Sequence, residues 1–214
     1  MVDLKAGLPA DDLAAADLLV TSSRPAALER LGLGWEALHD AFPLLVHVAI
    51  VGHSTPDDSP GHDLTYTAAH GLVAPPLLPR TLVADLGGAE RAVSTALALL
   101  VARERTGEAA RAEVALADTA AEFAAPLRHG LTAVGGVLGG GYPFYGLYRA
   151  RDGWVAVAAL EPHFRERLLS ELGLEDADHE SLARAFAERT AADWTAWARE
   201  RDLPLARVAD CTSP

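Results

Sequence analysis

One run constrains this chain more than any other: LLVHVAIVG, residues 44–52. It is apolar and β-branched almost throughout, with no alternation of polar positions. A run of that kind reads as a strand buried inside a sheet, ended here by Gly52. HSTPDDSPG (53–61) after it is turn chemistry throughout. From Asp85 the pattern becomes helical, through AERAVSTALALLVARERTG, and stops at Gly107 behind a run of Arg and Glu, an ordinary helix end. ARAEVAL (110–116) alternates and reads as a strand, followed by a helix to about Gly130. A buried strand, a long helix and another strand in that order imply an α/β protein.

Ahead of that core, ADDLAAADLLV (10–20) has acidic residues early and apolar ones at helical spacing, and reads as one helix. SSRPAALERLGLGWEAL (22–38) reads as a loop, a short helix from Pro25, a glycine-rich stop and a second helix. DLTYTAAHGL predicts a helix from Asp63. APPLLPR (74–80) is irregular, because its prolines remove backbone donors. VGGVLGGGYPF (134–144) is the clearest linker. Beyond it, YGLYRA (145–150) and WVAVAAL (154–160) flank Asp152-Gly153, a hairpin signal. Residues 162–203 read as three short amphipathic helices, with Trp194 and Trp197 in the core. The expected organisation is an α/β large domain over 1–140 and a smaller α+β domain of hairpin and helices over 141–214.

The formal net charge of -12 argues against nucleic acid and anionic membrane as partners, because their phosphates are repelled. An anionic small ligand needs a local arginine. The one cysteine, Cys211, allows no disulfide within the chain and fits a reducing cytoplasm. MVDLKAGLPADD lacks the pattern of a signal peptide, and no apolar run reaches spanning length; VSTALALLVA (93–102) reads as a buried helix. The chain has no internal repeat, zinc-type Cys/His spacing, P-loop or GxGxxG.

Three residues stand at junctions where acids and bases are often mounted. His62, in GHDLTY, follows a Pro-Gly turn. Asp85, in VADLGG, opens the longest helix, with Gly87 and Gly88 behind it. Glu161, in ALEPHF, ends a strand just before a Pro162 helix start. Each also has a plain structural reading: a solvated turn histidine for His62, helix caps for Asp85 and Glu161. The other histidines (His39, His47, His53, His70, His129, His163 and His179) have no motif around them and read as surface or satisfied core residues.

The stretches VDLK, LLVTSSRPAALERLGLGWEAL, GHDLTY, VADLGG, LVARERTGEAARAEVALAD, YPFYGLYRARDGWVAVAALEPHF and LPLARV run in order along nearly the whole chain. Together they resemble the family III CoA-transferase (CaiB/BaiF) superfamily, and within it the α-methylacyl-CoA racemases. RPxxLERLGLGxxxL is the superfamily signature; GHDLTY and ALEPHF point to racemases. The resemblance implies a truncated Rossmann-like large domain. It assigns His62 and Asp85 as the two catalytic bases and Glu161 as a glutamate approaching the site from the small domain. It also assigns Arg24 to the CoA phosphates, and Asp63 and Tyr66 to the lining of the CoA and thioester pocket.

The implied chemistry inverts the carbon next to a thioester through a flat enolate, with a base on each face. N–H groups near Asp85, Gly87 and Gly88 are candidate donors to the enolate oxygen. No metal or redox cofactor is required; CoA enters as part of the substrate. His62→Ala and Asp85→Ala are each expected to abolish α-proton exchange. Family members carry a Rossmann-like βα unit before the first matched stretch and a return segment after the last. The shortened match leads to an expectation of reduced nucleotide surface and exposed apolar surface. From that follows pairing as a homodimer or with another chain. The reading expected first is a racemase or epimerase on an acyl-CoA or related thioester. A partner-dependent subunit, or a CoA-transferase using Asp85, is the alternative.

Overall fold

The computed structural model of the protein describes residues 10–209. Cys211 and the VDLK stretch lie outside the described residues. Two compact units make up the chain, one up to Ala125 and one from Pro126. The division falls ahead of the glycine-rich stretch rather than near residue 140, because that stretch is tied to its own unit by backbone bonds. Leu138 N–H donates to Leu131 O at 2.9 Å and Gly141 N–H to Gly136 O at 2.8 Å.

In chain order the first unit contains α1 (Ala10–Ala15), β1 (Leu18–Thr21), α2 (Pro25–Arg30), α3 (Trp35–Ala41), β2 (Val46–Val51), α4 (Asp63–Ala69), α5 (Val83–Thr106), β3 (Arg111–Ala115) and α6 (Leu116–Phe123). The three strands form a parallel sheet with β2 in the middle; Leu18 lies level with Val46 and His47 with Arg111. This is the α/β architecture expected. β2 is apolar on both sides because both sheet faces are covered. Val48 and Val114 pack on Ala92 and Ala96 of α5. Leu19, of opposite parity, joins Leu13 of α1 and Leu38 of α3.

α5 buries Ala84, Gly88, Ala92 and Ala96, four small residues spaced by four, so it lies close against its neighbours. It ends at Gly107, whose φ of 77° is the left-handed C-cap for which glycine is suited. Residues 10–20 are not one helix as expected. Leu18, Leu19 and Val20 leave the helical pattern to pair with β2, since ladder bonds along a buried strand outweigh a weak local preference.

The second unit contains α7, which begins at the division (Ala125–Arg128), then β4 (Tyr145–Arg149), β5 (Trp154–Ala158), α8 (Pro162–Leu172), α9 (His179–Phe186), α10 (Ala191–Glu200) and β6 (Leu205–Arg207). The hairpin and three helices are as expected. The short β6 was not; it adds antiparallel to β5, with Val157 level with Leu205. The core gathers Val155, Val157, Leu168, Leu182, Phe186, Trp194 and Trp197. No helix among the described residues is long and apolar enough to cross a membrane.

His47, in the middle of β2, is 1% exposed. Its Nε2 and the Thr21 hydroxyl lie 2.9 Å apart, and its Nδ1 has no partner. Burial first, and the charge of Arg111 second, lower its pKa from 6.5 to about 4. The unfolded chain therefore binds the extra proton first as pH falls. The stabilisation is complete above about pH 6.5 and is lost as pH drops through 4. A shift of that size is worth roughly 3 kcal/mol. We expect the pH dependence of urea unfolding between pH 7 and 4 to flatten by about that amount in His47→Leu. An unchanged pH slope would show that His47 is not the group responsible.

Candidate functional site

A parallel sheet places the loops that follow its strands on one edge. Here those loops are Ser22-Ser23-Arg24 after β1, Gly52-His53 after β2 and the start of α6 at Leu116 after β3. All of them line one cavity of about 570 Å³, closed by the 57–62 turn and by Thr65 and Tyr66 of α4. Among the described residues, Arg24, His62 and Tyr66 of the predicted site meet in this cavity.

Arg24 is exposed at the N-cap position of α2, with Pro25 behind it, and its side chain makes no cap bond. His62 is exposed at the N-cap of α4 in extended backbone. The cap is built from the main chain and Thr65. The N–H of His62 donates to the Thr65 hydroxyl at 3.0 Å, and that hydroxyl donates to the His62 carbonyl at 2.8 Å. Thr65 closes the cap on the main chain of His62, and the exposed imidazole lies on the cavity wall.

Tyr66 is 4% exposed. A side chain on Gly52 would sit 2.4 Å from its hydroxyl oxygen, and one on Gly61 2.4 Å from its ring. These two glycines make the room that Tyr66 fills. His53 meets the ring edge-on at 5.2 Å. Burial, and after it the charge of Asp85, raise the Tyr66 pKa, so the phenol keeps its proton at neutral pH. His53 therefore lines the site, although it was expected as a bystander. Gly52, Gly61 and Leu116 were missed as well. Gly52 closing the strand and Gly61 before His62 were the signals available.

Asp63 is not on the cavity wall. It is 4% exposed, and its Oδ1 accepts the N–H of Ala84 at 2.7 Å and of Asp85 at 3.1 Å. Leu82, at the N-cap of α5, has no side chain able to cap, so a carboxylate from α4 does so. In place of the pocket lining that the resemblance implies for Asp63, the structure shows its Oδ1 bonded to the start of α5. Asp85 is exposed in the first turn of α5 and does not line the cavity; its charge reaches Tyr66.

Gly87 and Gly88 are corrected too. They lie inside α5, where a helical N–H bonds the carbonyl four residues back. A side chain on Gly87 would strike Phe123 and Thr119, and one on Gly88 would come 2.3 Å from Leu116. Their task is close packing on α6 rather than donation to an oxyanion. Glu161, in the second unit, is the N-cap residue of α8 and is exposed, with no cap bond from its side chain, whereas the N-cap of α5 is Leu82 and Asp85 lies in its first turn.

Two acids, Asp57 and Asp58, share the cavity wall with Arg24. Hydrogen bonds from Ser59 hold the Asp57 carboxyl below its usual range. The wall thus carries more negative than positive side chains. Among the described residues no group of three or more His, Cys, Asp or Glu side chains could hold a metal ion.

The sequence profile of CoA-transferase family III matches residues 11–213. The α-methylacyl-CoA racemase of Mus musculus is 30% identical over 213 residues, covering 85% of this chain and 56% of the mouse protein. The (R)-2-hydroxy-4-methylpentanoate CoA-transferase of Clostridioides difficile is 25% identical, covering 93% of this chain and 59% of that protein. The chain thus spans little more than half the length of these relatives. In structure it is similar to the hypothetical protein Rv3272 of Mycobacterium tuberculosis, with a TM-score of 0.80 at 23% identity, covering 96% of this chain and 65% of the other. That likeness speaks for the fold.

Proposed function

Because the chain belongs to CoA-transferase family III, we propose that it acts on an acyl thioester and moves the proton on the carbon next to the carbonyl. One observation carries this reading. An exposed imidazole stands on the cavity at the strand ends, and the next residue in the chain, Asp63, holds the N–H of Asp85.

In the proposed cycle one base, His62 or Asp85, takes the α-proton, the C–H electron pair becomes the enolate C=C bond, and the carbonyl π pair moves onto the thioester oxygen. The other base then gives a proton to the opposite face, and the enolate collapses to the inverted thioester. Tyr66 lines the cavity with its phenol protonated, and it is the donor this reading assigns to the enolate oxygen in place of the glycine N–H groups. Nothing in the cycle calls on a metal or a redox group. CoA takes part as a portion of the substrate.

The acidic wall disfavours phosphate inside the cavity, so the thioester end rather than the nucleotide belongs there. The test is deuterium wash-in followed by NMR. Protein in D₂O is incubated with a 2-methylacyl-CoA and, separately, with the pantetheine thioester of the same acid. Exchange at the α-carbon in both is expected. Exchange in neither would remove the proposal.

Similarity to a CoA-transferase, together with the exposed carboxylate of Asp85, sustains a second reading. In it Asp85 attacks the acyl carbonyl, CoA leaves as its thiolate, and a mixed anhydride remains on the carboxylate. Hydroxylamine would trap that anhydride at Asp85; α-proton exchange without trapping favours the first reading.

A further inference from the structure

We infer that Asp63 is a positioning residue whose buried carboxylate ties the first turn of α5 to α4 and thereby holds Asp85 at a set place opposite His62; this rests on the two-base reading above. The carboxylate is 4% exposed and its Oδ1 takes two N–H groups, from Ala84 at 2.7 Å and Asp85 at 3.1 Å. These are contacts across 21 and 22 residues of chain, between two separate helices. One partner is the main chain of Asp85 itself; the other neighbour, along the chain, is His62. A single residue is therefore fixed to both proposed bases, one covalently and one by a charge-assisted hydrogen bond.

Among the described hydrogen bonds, no other side chain takes over this tie. α5 cannot cap itself, because Leu82 at its N-cap has an aliphatic side chain and is exposed. α4 cannot turn about its own start, because Thr65 locks its first turn and the Thr67 hydroxyl donates to the Asp63 carbonyl at 2.8 Å. Tyr66 fills the space between Gly52 and Gly61, which pins α4 to the end of β2. Apolar packing of Ala84 on Tyr66 and α6 seats the start of α5, and Asp63 adds the polar tie that sets its first turn.

The test resolves exchange by epimer. In a two-base site each epimer presents its α-proton to a different base, so the ratio of the two exchange rates reports on one base at a time. In Asp63→Ala, exchange on the epimer served by Asp85 should fall by about 100-fold, the scale of a misplacement of about 1 Å. Exchange on the other epimer and both KM values should change by less than about threefold. Asp63→Asn keeps an oxygen that accepts the same N–H groups and should recover most of the loss.

Asp63→Ala/Leu82→Ser separates positioning from capping. The serine restores a cap to α5 from its own chain but not the tie to α4, so thermal stability should return while exchange on the Asp85 epimer stays low. Equal loss on both epimers, or recovery of exchange with the Leu82→Ser cap, would overturn the inference. If the wild-type protein exchanges neither epimer, the two-base reading fails instead. The tie is then judged by NMR: the amide protons of Ala84 and Asp85 should move upfield in Asp63→Ala, and unchanged amide positions would overturn it.

Discussion

In His62→Ala, inversion of a 2-methylacyl thioester should stop, and deuterium should no longer enter the epimer whose α-proton faces the missing imidazole. Asp85→Ala should stop inversion too, but silence exchange on the opposite epimer, so each loss is confined to one epimer rather than the complete loss expected from sequence. The two variants are therefore mirror images in an epimer-resolved wash-in, which loss of folding or of substrate affinity does not produce. Positioned acid–base groups contribute about 100-fold to 10,000-fold, so each loss should be at least roughly 100-fold. Neither substitution touches packing. Both side chains are exposed, and the Thr65 hydroxyl bonds the main chain of residue 62 whatever its side chain. Stability should stay within about 0.5 kcal/mol of the parent. Inversion at the parent rate in either variant would refute the assignment of that base.

Trp194→Ala should produce the largest loss of stability in the second unit. Trp194 is 2% exposed and donates its Nε1–H to Phe186 O at 2.8 Å. Phe186 and Trp197 meet its ring edge-on at 5.0 and 5.1 Å, and the Arg189 guanidinium lies 4.7 Å above it. Truncation leaves a cavity bounded by those rings and an unpartnered carbonyl, so the cost should be about 4 kcal/mol. For a chain of this size that corresponds to a fall in Tm on the order of 10 °C. Trp194→Phe, which keeps an aromatic ring but loses the donor, should cost less than half as much. Equal effects of the two substitutions in thermal unfolding would show that the hydrogen bond, not the ring, carries the stability.

Much of this molecule was legible from local pattern. LLVHVAIVG is β2, the Asp152-Gly153 hairpin is β4–β5, and the helix closed by Gly107 is α5. In each case the periodicity and the terminating residue belong to the same short stretch, so nothing distant was needed. Of the candidate residues, the places at junctions were legible: His62 before α4, Asp85 in the first turn of α5, Arg24 before Pro25.

What the amino-acid sequence determined by itself was therefore the α/β class, most of the elements and the short list of residues able to do acid–base chemistry. Tertiary structure alone decided which of them share a wall. Leu18–Thr21 became a strand only because β2 was there to pair with it. Gly87 and Gly88 became packing residues because α6 crosses α5 at that point. Asp63 passed from candidate ligand contact to tether because the start of α5, distant in sequence, is brought to its carboxylate by the crossover from β2 to β3. The reason is physical: periodicity and capping are encoded within a few neighbouring residues, whereas the partner of a buried carboxylate is chosen by how the sheet and its helices pack.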